Sequence, residues 1–576
     1  MNTIGEIISL FLASIVFALP GVLAVAALVP GLTVGERWSI GTTTGFAAAA
    51  LVAVVVSHAS LRFFLPVWGL LSAVAAILWL RGRQVRLYAM PDGIDAWLVL
   101  LLLLVAGTRF GIASRHIIPP GFDPAFHLLL ARKIALTQHM IFDWSPFEAI
   151  ALNYPVGSHF LVVILSSLAR LELHDTFRLL CPLLGLLETA LVFHFSTRVS
   201  GNRELGLYAA LTFGLWADYG SIGYYGWGGL PNELGICFLI ALLALLVEER
   251  PGSGTRAVMA ILLAAIFVSH HHVMIVSCVL VGVLIVFFSL RSAGETRHRA
   301  LLQVVATAVL LASIYLLPYV GKSVTLGATY VLRFDEVFFD PITILSSMGW
   351  AFALSVLAGL VLALADRRIS FQPILPCAVL VTLGLFVVFE YLYRWLARAL
   401  FGHDYVAFTP SRFLTDLTCF LAVYAGLALL RLRELLARRR AVIVVGAIFV
   451  SLTLLPRWRE LEKPTVPEGF REAGEWIRMN TSPDTIVMNS EAWASYLTWR
   501  RTMVTPLPIS EPLDHVVPRE LAVRELMSGT RAAPSPEMKI VGIAYPGKWD
   551  PSTRILWHHS SGFSVVEIWP VAPRPD

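Results

Sequence analysis

The chain has 576 residues, of which 57% are hydrophobic and only 14% charged, and its mean hydropathy of +0.73 lies far from that of water-soluble globular chains. The formal net charge of +5 is unevenly placed: 14 Lys and Arg stand against 15 Asp and Glu after residue 456, and 30 against 24 before it. A basic excess confined to the apolar part is a signal of membrane topology and argues against a nucleic-acid partner.

Residues 4–30 lack the basic flank and small-residue cleavage site of a signal peptide, so they read as a retained first span. Further spans are predicted over 38–58, 63–80, 94–113, 178–198, 205–217, 233–248, 257–271, 273–290, 300–319, 343–365, 373–396, 412–432 and 440–456, about fourteen in all. After Arg457 no apolar run approaches the roughly 20 residues a helix needs to cross a bilayer. The five cysteines, Cys181, Cys237, Cys278, Cys377 and Cys419, fall in or beside spans without a CxxC pair. They do not report a redox compartment.

Orientation follows from alternate loops. Arg81–Arg86, Arg198–Arg203, Arg250–Arg256, Arg291–Arg299, Arg367–Arg368 and Arg431–Arg440 are basic and are expected in the cytoplasm. The intervening loops, 114–156, 218–232, 320–342 and 397–411, are richer in aromatic, Asp, His, Gly and Pro residues and belong outside, with the C-terminal region. Val156–Leu173 is apolar too, but a crossing there would turn the Arg198–Arg203 loop outward. It is expected to lie at the outer interface with its backbone ends covered by protein.

The expected architecture is therefore a multi-pass α-helical membrane protein with a small C-terminal α/β soluble domain. Residues 1–93 supply N-terminal spans, 94–456 the main membrane domain, and 457–576 the soluble domain. In the last, Val466–Asn480 has helical apolar spacing, and Thr485–Met488, Lys539–Ile543 and Phe563–Trp569 read as strands. Trp493, Tyr496, Arg500 and Arg501 form an aromatic and basic patch there, best read as packing against the membrane half.

The segment richest in chemistry is Pro119-Pro120-Gly121-Phe122-Asp123-Pro124-Ala125-Phe126-His127, just outside the fourth span. Asp123 before Pro124 suits a helix N-cap, which places His127 one turn further on the same face. A capping carboxylate can still present its second oxygen to a substrate. The chain then runs through Asn153-Tyr154-Pro155-Val156-Gly157-Ser158-His159, and two spans later reaches Asp218 and Trp227-Gly228-Gly229-Leu230-Pro231-Asn232-Glu233.

This order, from about residue 94 to 456, resembles the GT-C superfamily of membrane glycosyltransferases, which includes oligosaccharyltransferases, protein mannosyltransferases and aminoarabinose transferases. The resemblance implies that Asp123 is the essential first-loop acid, its DPxxH setting being most similar to the oligosaccharyltransferase branch. Asp218 or Glu233 would take the second acidic place, although Pro231-Asn232-Glu233 also suits a helix start. No DxD or ExD pair stands there, and the soluble domain has no WWDYG motif.

Sugar transfer from a polyprenyl phosphate to a hydroxyl needs a carboxylate to take the acceptor's proton and positive charge to hold the departing phosphate. Asp123 is the candidate base, assisted by His127. With Asp218 it is a candidate ligand for a divalent metal, Mg or Mn. Arg412, at the outer start of a late span, resembles the position where several GT-C enzymes hold the lipid phosphate, and is equally placed for an interfacial snorkelling arginine.

Lys322, Arg333, His159, Trp227, Asn232 and His270 complete the candidate substrate contacts. His270-His271-His272, read as consecutive helical residues about 100° apart, cannot share one ion. The implied partners are the lipid bilayer, a polyprenyl-phosphate sugar donor and a saccharide, lipid or protein acceptor, at the plasma membrane. Two other readings stay open: a transporter or flippase of lipid-linked saccharide, and a structural subunit that keeps the fold without activity.

Overall fold

The computed structural model describes residues 3–82, 87, 93–120, 123–143, 152, 154–217, 223–248, 250–290, 297–325, 348–365, 374–401, 410–436, 466–482, 485–488, 492–498, 501–502, 540–544 and 554–569. The membrane half contains α1 (Thr3–Leu28), α2 (Val34–Ser57), α3 (Phe64–Arg81), α4 (Gly93–Ala113), α5 (Asp123–Thr137), α6 (Gly157–Ala169), α7 (Leu173–Ser200) and α8 (Arg203–Leu211). It continues with α9 (Gly223–Trp227), α10 (Leu230–Leu246), α11 (Ser253–Ser269), α12 (His271–Leu290), α13 (Arg297–Thr325), α14 (Trp350–Ala365), α15 (Ile374–Phe401) and α16 (Pro410–Leu436). Among the described residues, seven helices meet both the length and the apolarity of a membrane span: α1, α2, α3 with its leading turn, α4, α7, α12 and α13. The predicted span 440–456 lies outside the described residues.

Polar contacts sort the helix ends into two sets. At one end Arg198 pairs with Glu36 at 3.2 Å, and Arg203 pairs with Asp95 and Arg433 with Glu204. At the other end the Arg178 guanidinium donates to the Ala113 carbonyl at 2.8 Å and pairs with Glu6 at 3.0 Å. Because α4 ends and α7 begins at that contact, the chain between them leaves and returns at the same end. The 13 residues of α6 span about 20 Å at 1.5 Å per residue, short of the ~30 Å hydrocarbon thickness. The expectation of a non-crossing helix fits this geometry.

Lipid and core faces follow from side-chain chemistry. Leu70, Leu103, Leu310 and Leu317 stand out from the bundle, an arrangement that water would penalise and hydrocarbon does not. Helix α10 is the opposite case: every one of its residues is buried. From Leu234 on it is apolar all round, as a fully enclosed helix should be, and it packs against α2, α6, α7, α11, α12 and α16. Helices α1 and α2 approach closely, since a Cβ on Gly21 would overlap the Gly41 carbonyl.

Three expectations need correction. The stretch 205–217 is not one regular helix: α8 passes into a π turn over Thr212–Trp216, closed by Ala217 N–H donating to the Thr212 carbonyl at 3.0 Å. Lys322 is not in a loop, because α13 runs on to Thr325. The three histidines are not consecutive helical residues either; α11 ends at Ser269, His270 is extended (φ −157°, ψ 123°), and α12 starts at His271.

The C-terminal region has helices α17 (Glu468–Asn480) and α18 (Ala492–Thr498) and strands β1 (Ile486–Met488), β2 (Arg501–Thr502), β3 (Ile540–Ala544), β4 (Ile555–His558) and β5 (Ser564–Trp569). The sheet order is β2-β1-β3-β5-β4. Strand β1 is parallel to β2 and β3, while β5 is antiparallel to β3 and β4. These elements support the α/β expectation in part, with α18, β2 and β4 beyond the predicted elements.

Candidate active site

Helix α5 starts at Asp123 and Pro124, half-buried and buried respectively. Against them lies the turn between α9 and α10. Gly228 adopts φ +84°, and a Cβ there would overlap the Pro124 ring. Only glycine combines that backbone with so close an approach. Tyr225 of α9 is hydrogen-bonded to His116 at 2.9 Å, so the segment after the fourth span and the segment after Asp218 meet.

One turn along α5, His127 Nδ1 lies 3.1 Å from His159 Nε2 of α6. A single proton bridges the two nitrogens, one donating and the other accepting. Burial pushes His127 well below the usual histidine range and His159 down to about 3, so both are neutral at pH 7. Tyr154 sits among the rings, its centroid 5.2 Å from His127, 5.7 Å from His159 and His270, and 5.1 Å from His271. The Tyr315 hydroxyl of α13 donates to the Tyr154 carbonyl at 3.1 Å.

Beneath this layer is a residue that the sequence reading passed over. Asp416 of α16 is 0% exposed. Its Oδ1 accepts from Asn232 Nδ2 at 2.6 Å and from the Tyr224 hydroxyl at 3.0 Å, and its Oδ2 from His272 Nδ1 at 2.6 Å. The signal was an aspartate inside an apolar span, where an ionisable group is a functional candidate by default. Asn232 thus faces the interior, one turn below the Gly228 turn.

A second polar group lies beside it. Arg109 of α4, Glu188 of α7 and Glu233 of α10 are 5%, 0% and 1% exposed. Gly185 makes room for the guanidinium: a Cβ there would overlap Arg109 Nη1 and stand 3.1 Å from Glu233 Oε1. Glu233 also meets the Cys181 thiol. The three Arg109 guanidinium nitrogens, both Glu188 carboxylate oxygens and Glu233 Oε2 have no hydrogen-bond partner among the described residues.

The remaining candidates are less concentrated. Lys322 is exposed on the last turn of α13, Trp227 ends α9, and Arg412 is the third residue of α16, one turn before Asp416. Asp218 and Arg333 lie outside the described residues. The C-terminal region rests on the same end: Arg132 of α5 donates to the Tyr496 carbonyl at 2.8 Å and covers its ring at 5.6 Å, and His174 lies 3.3 Å from the Tyr496 hydroxyl. Burial raises the Tyr496 phenol further above its already high range. The packing role read for this patch fits Tyr496.

The bundle superposes on solved membrane glycosyltransferases. The apo oligosaccharyltransferase of Archaeoglobus fulgidus matches with a TM-score of 0.54 at 11% identity, over 78% of this chain and 69% of that one. ArnT from Cupriavidus metallidurans matches with a TM-score of 0.54 at 13% identity, over 83% of this chain and 98% of that one. Both are GT-C glycosyltransferases. The chain has a GT-C fold. The archaeal enzyme AglB from Archaeoglobus fulgidus, solved with an inhibitory peptide and a dolichol-phosphate, is similar at a TM-score of 0.51 and 13% identity, over 78% of this chain and 70% of that one. No family sequence model and no curated protein sequence matches. The likeness shown to these solved structures is one of fold.

Proposed function

We propose that this GT-C-fold chain is a glycosyltransferase that takes a sugar from a polyprenyl-phosphate donor and passes it to an acceptor hydroxyl on the non-cytoplasmic face of the plasma membrane. The observation that carries the reading is Asp123, a half-buried carboxylate at the start of α5, pressed by Pro124 against the Gly228 turn and followed one turn later by the neutral His127–His159 pair. The dolichol-phosphate bound by the AglB neighbour is a donor-type lipid of the proposed class.

In the proposed reaction Asp123 accepts the proton of the acceptor hydroxyl as its oxygen bonds to the anomeric carbon. The bond from that carbon to the phosphate oxygen breaks, and its electron pair stays on the polyprenyl phosphate. Arg412 is assigned to the resulting charge, with Lys322 and Arg333 as further cations, and His159, Trp227, Asn232 and His270 as the lining of the substrate path. Glu233 is assigned an electrostatic role beneath Asp123 rather than contact with the sugar, because it turns toward Arg109.

Among the described residues no three His, Cys, Asp or Glu side chains are arranged to hold a metal. A Mg or Mn ion on Asp123 and Asp218 would make transfer sensitive to EDTA and restored by the added ion.

The test is sugar transfer from radiolabelled polyprenyl-phosphate sugars by purified protein in nanodiscs. Wild type transfers label, and Asp123→Asn loses on the order of 100-fold or more, the contribution of a positioned general base. Undiminished transfer by the mutant removes Asp123 from the chemistry.

A further inference from the structure

Resting on that reading, we infer that Asp416 is a positioning residue that holds the phosphate-binding end of α16 in register with the turn that presents Asp123. Three donors from three other elements converge on its carboxylate: Tyr224 from α9, Asn232 from α10 and His272 from α12. Hydrogen bonds are directional, so three of them converging on one buried side chain fix geometry as well as contributing energy.

Two routes lead from Asp416 to α5. Through Tyr224 and Asn232 it grips both sides of Gly228, which is in contact with Pro124. Through His272 it reaches the ring of His270 at 6.2 Å, and from there Tyr154 at 5.7 Å and His127 at 5.2 Å. On its own helix Asp416 lies one turn from Arg412. The proposed base and the proposed phosphate ligand are carried by α5 and α16, and Asp416 is where α16 is tied to the turn on which α5 rests.

The reaction needs both groups at the two faces of one anomeric carbon, and a displacement of about 1 Å can cost on the order of 100-fold in rate. Each half stays intact when only their register is lost. Asp416→Asn should therefore lower kcat about 100-fold while the donor KM stays within about threefold, with kcat expressed per folded molecule counted by thermal unfolding and size-exclusion chromatography, because an unfolded fraction lowers only the apparent kcat. The exchange Asp416→Asn with Asn232→Asp returns a carboxylate and an amide to the 2.6 Å contact and should recover about 10-fold of the loss. If Asp416→Asn fails to fold, Tyr224→Phe, which deletes one hydroxyl, carries the same test, with about a 10-fold fall in kcat.

Wild-type kcat in a folded Asp416→Asn protein overturns the inference and leaves the proposed function standing. If wild type transfers no sugar from any donor, the proposed function fails first. The inference is then read by electron–electron resonance distances between spin labels at Ser411→Cys and Leu136→Cys. A distribution broader in Asp416→Asn than in the parent supports the tie, and an unchanged one overturns it.

Discussion

Asp416 and Glu188 are both wholly buried carboxylates inside the same helix bundle, yet their surroundings are opposite. Asp416 receives three hydrogen bonds from three elements; Glu188 receives none among the described residues and has the Arg109 guanidinium as a neighbour. Burial alone therefore does not tell what an intramembrane acid does. A carboxyl group whose oxygens accept from several donors fixes the positions of those donors, whereas one beside a cation that makes no hydrogen bond to it fixes little and depends on the cation staying in place.

The largest effect should come from removing that cation. Arg109→Met leaves Glu188 and Glu233 buried without a positive neighbour, and loss of one partner from a buried charge group costs about 3–5 kcal/mol. Thermal unfolding in detergent should show a large drop in midpoint; a midpoint equal to wild type would mean that the two acids are neutral and that Arg109 does not compensate them.

A smaller effect is expected from acid. His127 and His159 have pKa values lowered by burial below the unfolded value of about 6.5. The unfolded chain therefore binds protons that the native chain refuses. Stability is complete above pH 6.5 and is lost as pH falls below it, by up to about 1.4 kcal/mol per unit for each group. Between pH 7 and 5 the unfolding midpoint of wild type should fall more steeply than that of His159→Gln, and parallel curves would show that the pair does not stay neutral.

The least effect should come from Glu188→Gln. Both Glu188 oxygens lack a hydrogen-bond partner among the described residues, so the isosteric amide leaves no donor newly unpaired and the net change should lie within about 1 kcal/mol. A loss as large as that of Arg109→Met would erase the contrast with Asp416.

The histidine triplet shows how far the sequence carried and where it stopped. The triplet His270-His271-His272 looked like one helical run because its neighbours on both sides are apolar and helix-compatible. The break at His270 has no Gly or Pro to announce it. Extended geometry there turns His270 and His271 toward Tyr154 and leaves His272 for Asp416, a division that helical spacing alone does not give.

Hydropathy, Lys and Arg placement, and proline after aspartate determined the helical membrane half, the start of α5 at Asp123 and the α/β character of the C-terminal domain, because these depend on solvent preference and local backbone sterics. The pairing of His127 with His159, the seat of the α9–α10 turn on Pro124, and the convergence of Tyr224, Asn232 and His272 on Asp416 join residues 32 to 192 positions apart. Those were decided only by tertiary packing, since a buried polar atom takes whichever partner the assembled helices bring within hydrogen-bond reach.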